Sequence, residues 1–326
     1  MKSGQFKALV ASVGDLTLAQ LKALGAVVAA TKSKHESREA LESIRPKTCA
    51  HCGSAAVVKN GVRNGLQRYS CRACARTFNA TTGTALSRLR DKEQFAAYAE
   101  CLRQGLSIRA AAAKLGLTWD KAFRWRHRFL ESVVGQQPIE VPGLLEVDET
   151  YFRESQKGSR KLTRLARHRG GTAKGTGSGR KAADWVPVLV GRVRGQPFTA
   201  DKVLKKLNGI EVADALRGVV KPGETILCTD GHSAFLPLQS SLGVTTKYFL
   251  ASRHGHSNPL DKVYHVQTAN NYHEQLKTWI QRGLRGVSTK HLPNYLAWHR
   301  LLSWNNKGVS TIEVIHSAMG RQIINL

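Results

Sequence analysis

At 326 residues with 41% hydrophobic side chains, the chain is long enough to bury one large core and one or two smaller ones, which excludes a disordered tail. Fifty Lys and Arg against 23 Asp and Glu give a formal charge of +27 and a pI near 10.3, so the expected partner is an extended polyanion, nucleic acid first. An anionic membrane is the competitor, but no apolar run reaches about 18 residues, and Met1–Val13 lacks a signal-peptide core, so no membrane and a cytoplasmic location are expected.

Residues 1–45 carry one helix-like stretch, with Leu18, Leu21, Leu24 and Val28 spaced by threes and fours, and then the polar run Thr31–Glu39; a small helical arm is expected. Cys49-Ala-His-Cys52 and Cys71-Arg-Ala-Cys74 each offer two thiols from one tight turn, and the segment between them suits a β-hairpin that brings the turns together. Residues 46–82 are therefore expected to form a zinc ribbon, with one structural Zn²⁺ held by Cys49, Cys52, Cys71 and Cys74 and no position open to water. Cys101 and Cys228, in apolar surroundings, read as core residues. Arg63, Arg68, Arg72 and Arg76 interleave with Tyr69 and Phe78, a pattern suited to a phosphate backbone, although a solvated ribbon face has the same composition.

Residues 88–135 turn helical. Phe95, Ala99 and Leu102 mark a first helix, and Ile108, Ala111, Ala112 and Leu115 a second; Gly116 breaks that one and Thr118 opens a third through Leu130. The third carries Lys121, Arg124, Arg126 and Arg128 beside Trp119, Phe123 and Trp125, as a recognition helix in a major groove requires, so a helix-turn-helix is expected. A three-helix bundle with a basic rim is the other reading of the same pattern.

Gln136–Gly143, with Pro138 and Pro142, reads as a linker. Strand-like runs follow at Leu144–Phe152, Val186–Val193 and Thr225–Thr229, separated by helical stretches, which predicts an α/β domain with a mixed sheet over 144–310 and leaves 311–326 as a C-terminal tail. Residues 153–181 interrupt the strands with ten Lys or Arg, a single acid, Glu154, and several glycines. Such a segment cannot bury itself, and Arg167, Arg169, Lys174 and Arg180 are candidate DNA contacts on it; a merely solubilising loop is the alternative.

Asp148 in Val-Asp-Glu-Thr-Tyr and Asp230 in Cys-Thr-Asp-Gly-His end strands where their side chains can meet. In-line phosphodiester chemistry uses two Mg²⁺ (or Mn²⁺) ions about 3.5–4 Å apart on hard carboxylate oxygens, and two strand-end aspartates supply part of such a site. A third ligand is expected from the helix-like segment Asn270–Leu284. There Asn270, His273, Glu274 and Lys277 share one face, with Tyr272, Leu276, Trp279 and Ile280 broadly on the other. Charge alone favours Glu274 as that ligand, although a surface position on an amphipathic helix fits it equally. Glu149 is expected on the opposite side of its strand from Asp148, in a structural role. His232, His254, His256 and His265 are candidate phosphate or ligand-supporting contacts, each more often a partnered structural histidine.

Several blocks together resemble the bacterial insertion-sequence transposases of the 1595 family. They are the paired cysteines, Trp125-Arg-His-Arg-Phe-Leu130, Val147-Asp-Glu-Thr-Tyr-Phe152, Arg169-Gly-Gly171, Val186-Pro-Val-Leu-Val190, Thr229-Asp-Gly231, and His265-Val-Gln-Thr-Ala-Asn270 continued to Lys277 and through Gly286–Leu296. The resemblance implies a ribonuclease H-like catalytic domain with an Asp, Asp, Glu or Asn, Lys signature. Its third ligand stands five residues after a histidine and seven before a lysine, which selects Asn270 over Glu274. The implied catalytic set is Asp148, Asp230, Asn270 and Lys277, with Asp148, Asp230 and Asn270 as metal ligands. The asparagine leaves the site one negative charge short of a three-acid version.

The function that follows is a DNA transposase, nucleoid-associated, which binds terminal inverted repeats, cleaves at the element boundary and transfers the freed 3′-hydroxyl to target DNA. Handling two ends of double-stranded DNA together implies at least a homodimer. Two other classes share many of these features. A zinc-ribbon regulator with an inactive catalytic fold would bind without cleaving, and a structure-specific nuclease would cut branched DNA and join nothing.

Overall fold

The structure, a computed structural model, describes residues 2–165, 185–248, 263–303 and 308–321. The expected contacts Arg167, Arg169, Lys174 and Arg180, and the histidines His254 and His256, lie outside the described residues.

Thr17, whose hydroxyl accepts from the Gln20 N–H, starts a long helix α2 (Leu18–Glu42) after the short α1 (Ser3–Ser12). Neither α1 nor the part of α2 before Ser33 buries a side chain. The helix continues through the polar stretch Thr31–Glu39 because two serines one turn apart bind the start of a later helix. Ser33 and Ser37 donate to the Glu93 carbonyl at 3.1 and 3.0 Å and accept from the N–H groups of Ala97 and Ala96.

The ribbon is a three-stranded antiparallel sheet, β1 (Val57–Arg63), β2 (Leu66–Cys71) and β3 (Thr77–Phe78). Asn64 and Gly65, both at positive φ (52° and 74°), make the two-residue turn that matches strand twist. Three helices follow, α3 (Phe95–Arg103), α4 (Ile108–Leu115) and α5 (Trp119–Glu131). Ser107 and Thr118 cap α4 and α5, and Gly116 ends α4 at φ 63°. Phe95, Tyr98, Trp125 and Phe129 form the ring cluster at their centre at 5.1–5.4 Å, three pairs edge to face and Tyr98–Phe129 tilted.

The second sheet has the order β6 (Thr199–Val203), β5 (Trp185–Val193), β4 (Val141–Arg153), β7 (Val220–Thr229), β8 (Thr245–Tyr248). β4, β5 and β6 pair antiparallel, whereas β7 and β8 run parallel to β4. This mixed order is the ribonuclease H-like arrangement, and helices cover both faces. On one, α6 (Gly209–Leu216) and α7 (Leu238–Leu242) pack on Leu145, Val147 and Leu227; on the other, α8 (Gln267–Thr278) and α9 (Leu292–Ser303) pack on Phe152, Val188 and Val190.

Two expectations are corrected. Residues 311–326 are not simply a tail: α10 (Thr311–Ala318) buries Val314, Ile315 and Ala318 in the core of α2, α3 and α5, started by a capping box of Ser310 and Glu313. Nor is 136–143 a free linker. Gln136 is buried between Ser317 and Arg321, Gln137 exchanges hydrogen bonds with the Asp201 backbone, and β4 already begins at Val141. In both places long-range hydrogen bonds and apolar burial outweigh local signals for mobility.

Candidate active site and metal centres

The last paired rung between β4 and β7 joins Glu146 to Cys228, so two residues further on Asp148, inside β4, and Asp230, just past the end of β7, stand level on adjacent parallel strands; the expectation that Asp148 ends its strand is corrected. Gly231, at φ 77°, turns the chain sharply after Asp230, and the Asp230 Oδ1 accepts from the His232 N–H at 3.0 Å. Asp148, Glu149 and Asp230 each present a carboxylate oxygen, all within 4.8 Å of one another. Glu149 keeps the alternation of the strand, paired with Leu189 of β5 as Asp148 is with Val190, but the expectation that it stands apart from the site is corrected, because its carboxylate comes within 4.8 Å of those of Asp148 and Asp230.

Burial pushes the Asp148 carboxyl up to about 8, and the charges of Glu149 and Asp230 push the same way while Lys277 opposes them. Burial also raises Glu149, followed by the charge of Asp230, and one of its oxygens is buried without a hydrogen-bond partner. Crowded carboxylates short of positive charge, with a free oxygen among them, fit a hard divalent cation.

The facing wall is α8. His273 is buried on it with Nδ1 3.7 Å from Asp148 Oδ2, and burial, with Lys277 adding to it, lowers its pKa to about 4, so the ring is neutral. Asn270 lies three residues earlier and Lys277 four residues later, on the same side of the helix as His273. Asn270 is exposed; Glu274 is exposed as well and stands outside the gathered carboxylates. His265 lies just before the helix, where its Nδ1 accepts from the Gln267 N–H. Sequence reasoning missed Glu146, a carboxylate with no exposed surface on the otherwise apolar run Leu144–Val147. A charge inside such a run was the signal that could have found it.

The four thiols Cys49, Cys52, Cys71 and Cys74 also converge within 4.8 Å. Sulfur pairs at 3.7 Å (Cys49–Cys74) and 3.6 Å (Cys52–Cys71) compare with about 3.8 Å for the edge of a tetrahedron with 2.3 Å metal–sulfur bonds. Backbone N–H groups, that of Cys74 foremost, lower the Cys71 thiol to about 7, which eases its deprotonation for a metal. The donors therefore fit zinc.

The basic side chains behave unequally. Arg126 has no exposed surface, donates to the Leu106 carbonyl at 2.7 Å and stacks 4.2 Å over Trp298, so its expected DNA contact is corrected: it is a core residue. Arg128 binds the Ala85 and Ser87 carbonyls, and Lys121 pairs with Asp91. Arg124 and Arg72 are exposed, and Arg68 donates to Thr77 Oγ1 at 3.0 Å beside a cleft of about 620 Å³ whose walls include Arg63, Arg90 and Lys92.

Comparison with known proteins bears on this arrangement. The profile of the ISXO2-like transposase domain matches residues 140–299. A protein in the transposable element ISH50 of Halobacterium salinarum is 30% identical over 252 residues, which is 76% of this chain and 82% of that protein. Among solved structures, the catalytic core domain of BIV integrase aligns at 16% identity and a TM-score of 0.29, covering 52% of this chain and 91% of that one. The simian T-cell lymphotropic virus intasome in complex with the PP2A regulatory subunit B56 gamma aligns at 11% and 0.31, covering 70% and 77%. Both structural likenesses are too remote to bear on chemistry. The matched domain and the insertion-sequence relative are sufficient: this chain belongs to the ISXO2-like, 1595-family transposases.

Proposed function

We propose that this transposase binds the terminal inverted repeats of its own insertion sequence and carries out divalent-metal-dependent cleavage and strand transfer at the element ends. The observation that carries the reading is the meeting of Asp148, inside β4, and Asp230, at the end of the adjacent parallel β7, beneath the α8 face that bears Asn270, His273 and Lys277. Asp148, Asp230 and Asn270 would hold Mg²⁺ or Mn²⁺, two ions per site, and Glu149 beside them would restore the charge that Asn270 lacks. Bound there, the metal supplies an activated water and neutralises charge on the phosphate. Lys277 adds a positive charge where the transition state becomes more negative. Neutral His273, packed against Asp148, holds that carboxylate in place and excludes water from its far side.

One Zn²⁺ on the four thiolates keeps the ribbon folded, so that Arg68 and Arg72 face a phosphate backbone. Helices α3 to α5 act as the helix-turn-helix, with Arg124 and Lys121 turned towards double-stranded DNA. Arg167, Arg169, Lys174 and Arg180 add further DNA contacts. Two ends must be joined in one complex, so the working form is at least a homodimer with symmetry matched to the paired ends. The test is cleavage and joining of labelled terminal-repeat DNA in Mg²⁺ or Mn²⁺, with Asp148→Asn and Asp230→Asn as controls. Joined product from the native chain and none from either variant is expected. Specific binding without cleavage under any divalent metal, or cutting of branched DNA regardless of end sequence, overturns the proposal.

A further inference from the structure

Helix α8 begins at a place where its own sequence gives no cap. Its N-cap residue is Val266, which has no side-chain acceptor, so the first N–H groups need a partner from elsewhere. The partner is Glu146 on β4. Its Oε2 accepts from the N–H groups of Thr268 and Ala269 at 2.7 and 3.2 Å, and its Oε1 accepts from the Thr268 hydroxyl at 2.9 Å. The guanidinium of Arg194 holds Oε1 from Nε and Nη2 at 2.8 and 2.7 Å, and also donates to the Val263 and His265 carbonyls of the segment leading into the helix. A negative charge at this end of the helix is favoured by the helix dipole, and burial of Glu146 strengthens every one of these bonds.

Glu146 precedes Asp148 by two residues on the same strand, so both project towards the same side of the sheet, the side on which α8 lies. One strand therefore carries both a metal-binding carboxylate and the carboxylate that fixes the facing helix. We propose that Glu146 is a positioning residue of the transposition site: by capping α8 it sets the distance and rotation at which Asn270, His273 and Lys277 confront Asp148. Arg194 and His265 belong to the same clamp. The inference rests on the proposed function only for the consequence in catalysis; the clamp is a property of the free protein.

The experiment has two arms on the full chain. Hydrogen exchange of the amides of Thr268 to Asn270 is compared in the native protein, Glu146→Gln and Thr268→Val. Faster exchange confined to these amides is expected, strongest in Glu146→Gln, where one acceptor becomes a donor. Cleavage of terminal-repeat DNA is measured in parallel. A loss of about tenfold to a hundredfold in kcat, with DNA affinity unchanged, is expected for a site misplaced by roughly an ångström. Glu146→Asp should recover part of the rate and Thr268→Val should lose less. Unchanged exchange overturns the clamp, and altered exchange with native kcat overturns positioning. If Glu146→Gln fails to fold, Thr268→Val decides, since native exchange and native kcat in that variant count against the proposal. A native chain that cleaves nothing but shows the exchange difference overturns the proposed function and supports the clamp.

Discussion

Asp148 is placed where its surroundings work against its charge, and this has a consequence that metal-free protein can report. Its folded-state pKa of about 8 lies above the ordinary carboxylate value of about 3.9. Between those two values the native state binds more protons than the unfolded chain, so stability is highest at the acid end of the window and falls as pH rises through it. The melting temperature of chelator-treated protein should therefore drop from pH 5 to pH 8, and Asp148→Asn should flatten the slope. The same slope in the variant would assign it to another group. Glu149, with a buried oxygen free of hydrogen bonds, should matter to the cation itself. Glu149→Gln is expected to weaken Mn²⁺ binding about tenfold by calorimetry or electron paramagnetic resonance; unchanged affinity would return Glu149 to a structural role. The two aspartates were legible because acids on apolar strands are conspicuous, although Asp148 lies inside β4 and only Asp230 follows a strand end. Asn270 was singled out only through family resemblance, since an amide on a polar helix face carries no charge signal, and its role as a ligand belongs to the proposal. Glu149 was set aside because alternation puts it on the face opposite Asp148, which its pairing with β5 maintains; alternation does not show that its carboxylate still reaches Asp148 and Asp230.

At the scale of elements, the segments read correctly are those whose ends carry their own chemistry. Ser107, Gly116 and Thr118 bound α4 and α5 by cap geometry, and the paired cysteines define the ribbon. β6 and β8 were not foreseen. β8 is four half-exposed residues, and β6 buries Asp201, so neither shows the apolar alternation from which strands are read. Likewise, α10 was hidden behind its position near the end of the chain, although Ser310 and Glu313 spell a capping box. Ile315, with no exposed surface among α2, α3 and α5, tests its importance. Ile315→Ala should cost about 2–5 kcal/mol in denaturant unfolding; a cost below about 1 kcal/mol would make α10 a dispensable decoration. For the ribbon, Cys71→Ser should release zinc and unfold β1 to β3 without melting the second sheet, because the apolar cluster around Cys71 is separate from the cores on that sheet. A zinc content still near one per chain would show that three thiolates and another ligand suffice.

Across the whole molecule the positive charge is divided almost evenly between the first 135 residues, 23 basic against 9 acidic, and the remainder, 27 against 14, so one DNA duplex has reason to touch both. What fixes these parts relative to one another is a buried joint. Arg300 on α9 pairs with Asp201 on β6 and donates to the carbonyls of Val133 and Val134 just beyond α5, while Trp298 two residues earlier donates to Leu102 and stacks under Arg126. The helices that present Arg124 thus share side chains with the sheet that presents Asp148, and no flexible connection intervenes. Arg300→Met leaves the buried Asp201 without its counter-charge and should cost about 3–5 kcal/mol. The double variant Arg300→Met, Asp201→Leu removes both charges and should recover most of that stability. If the joint also sets the spacing between the recognised repeat and the cut bond, the stable double variant should bind ends normally yet cleave over several neighbouring phosphodiesters instead of one. Sequencing the cleaved ends reads this directly, and a single native cut site in the double variant would show that apolar packing of α9 alone holds the two parts in register.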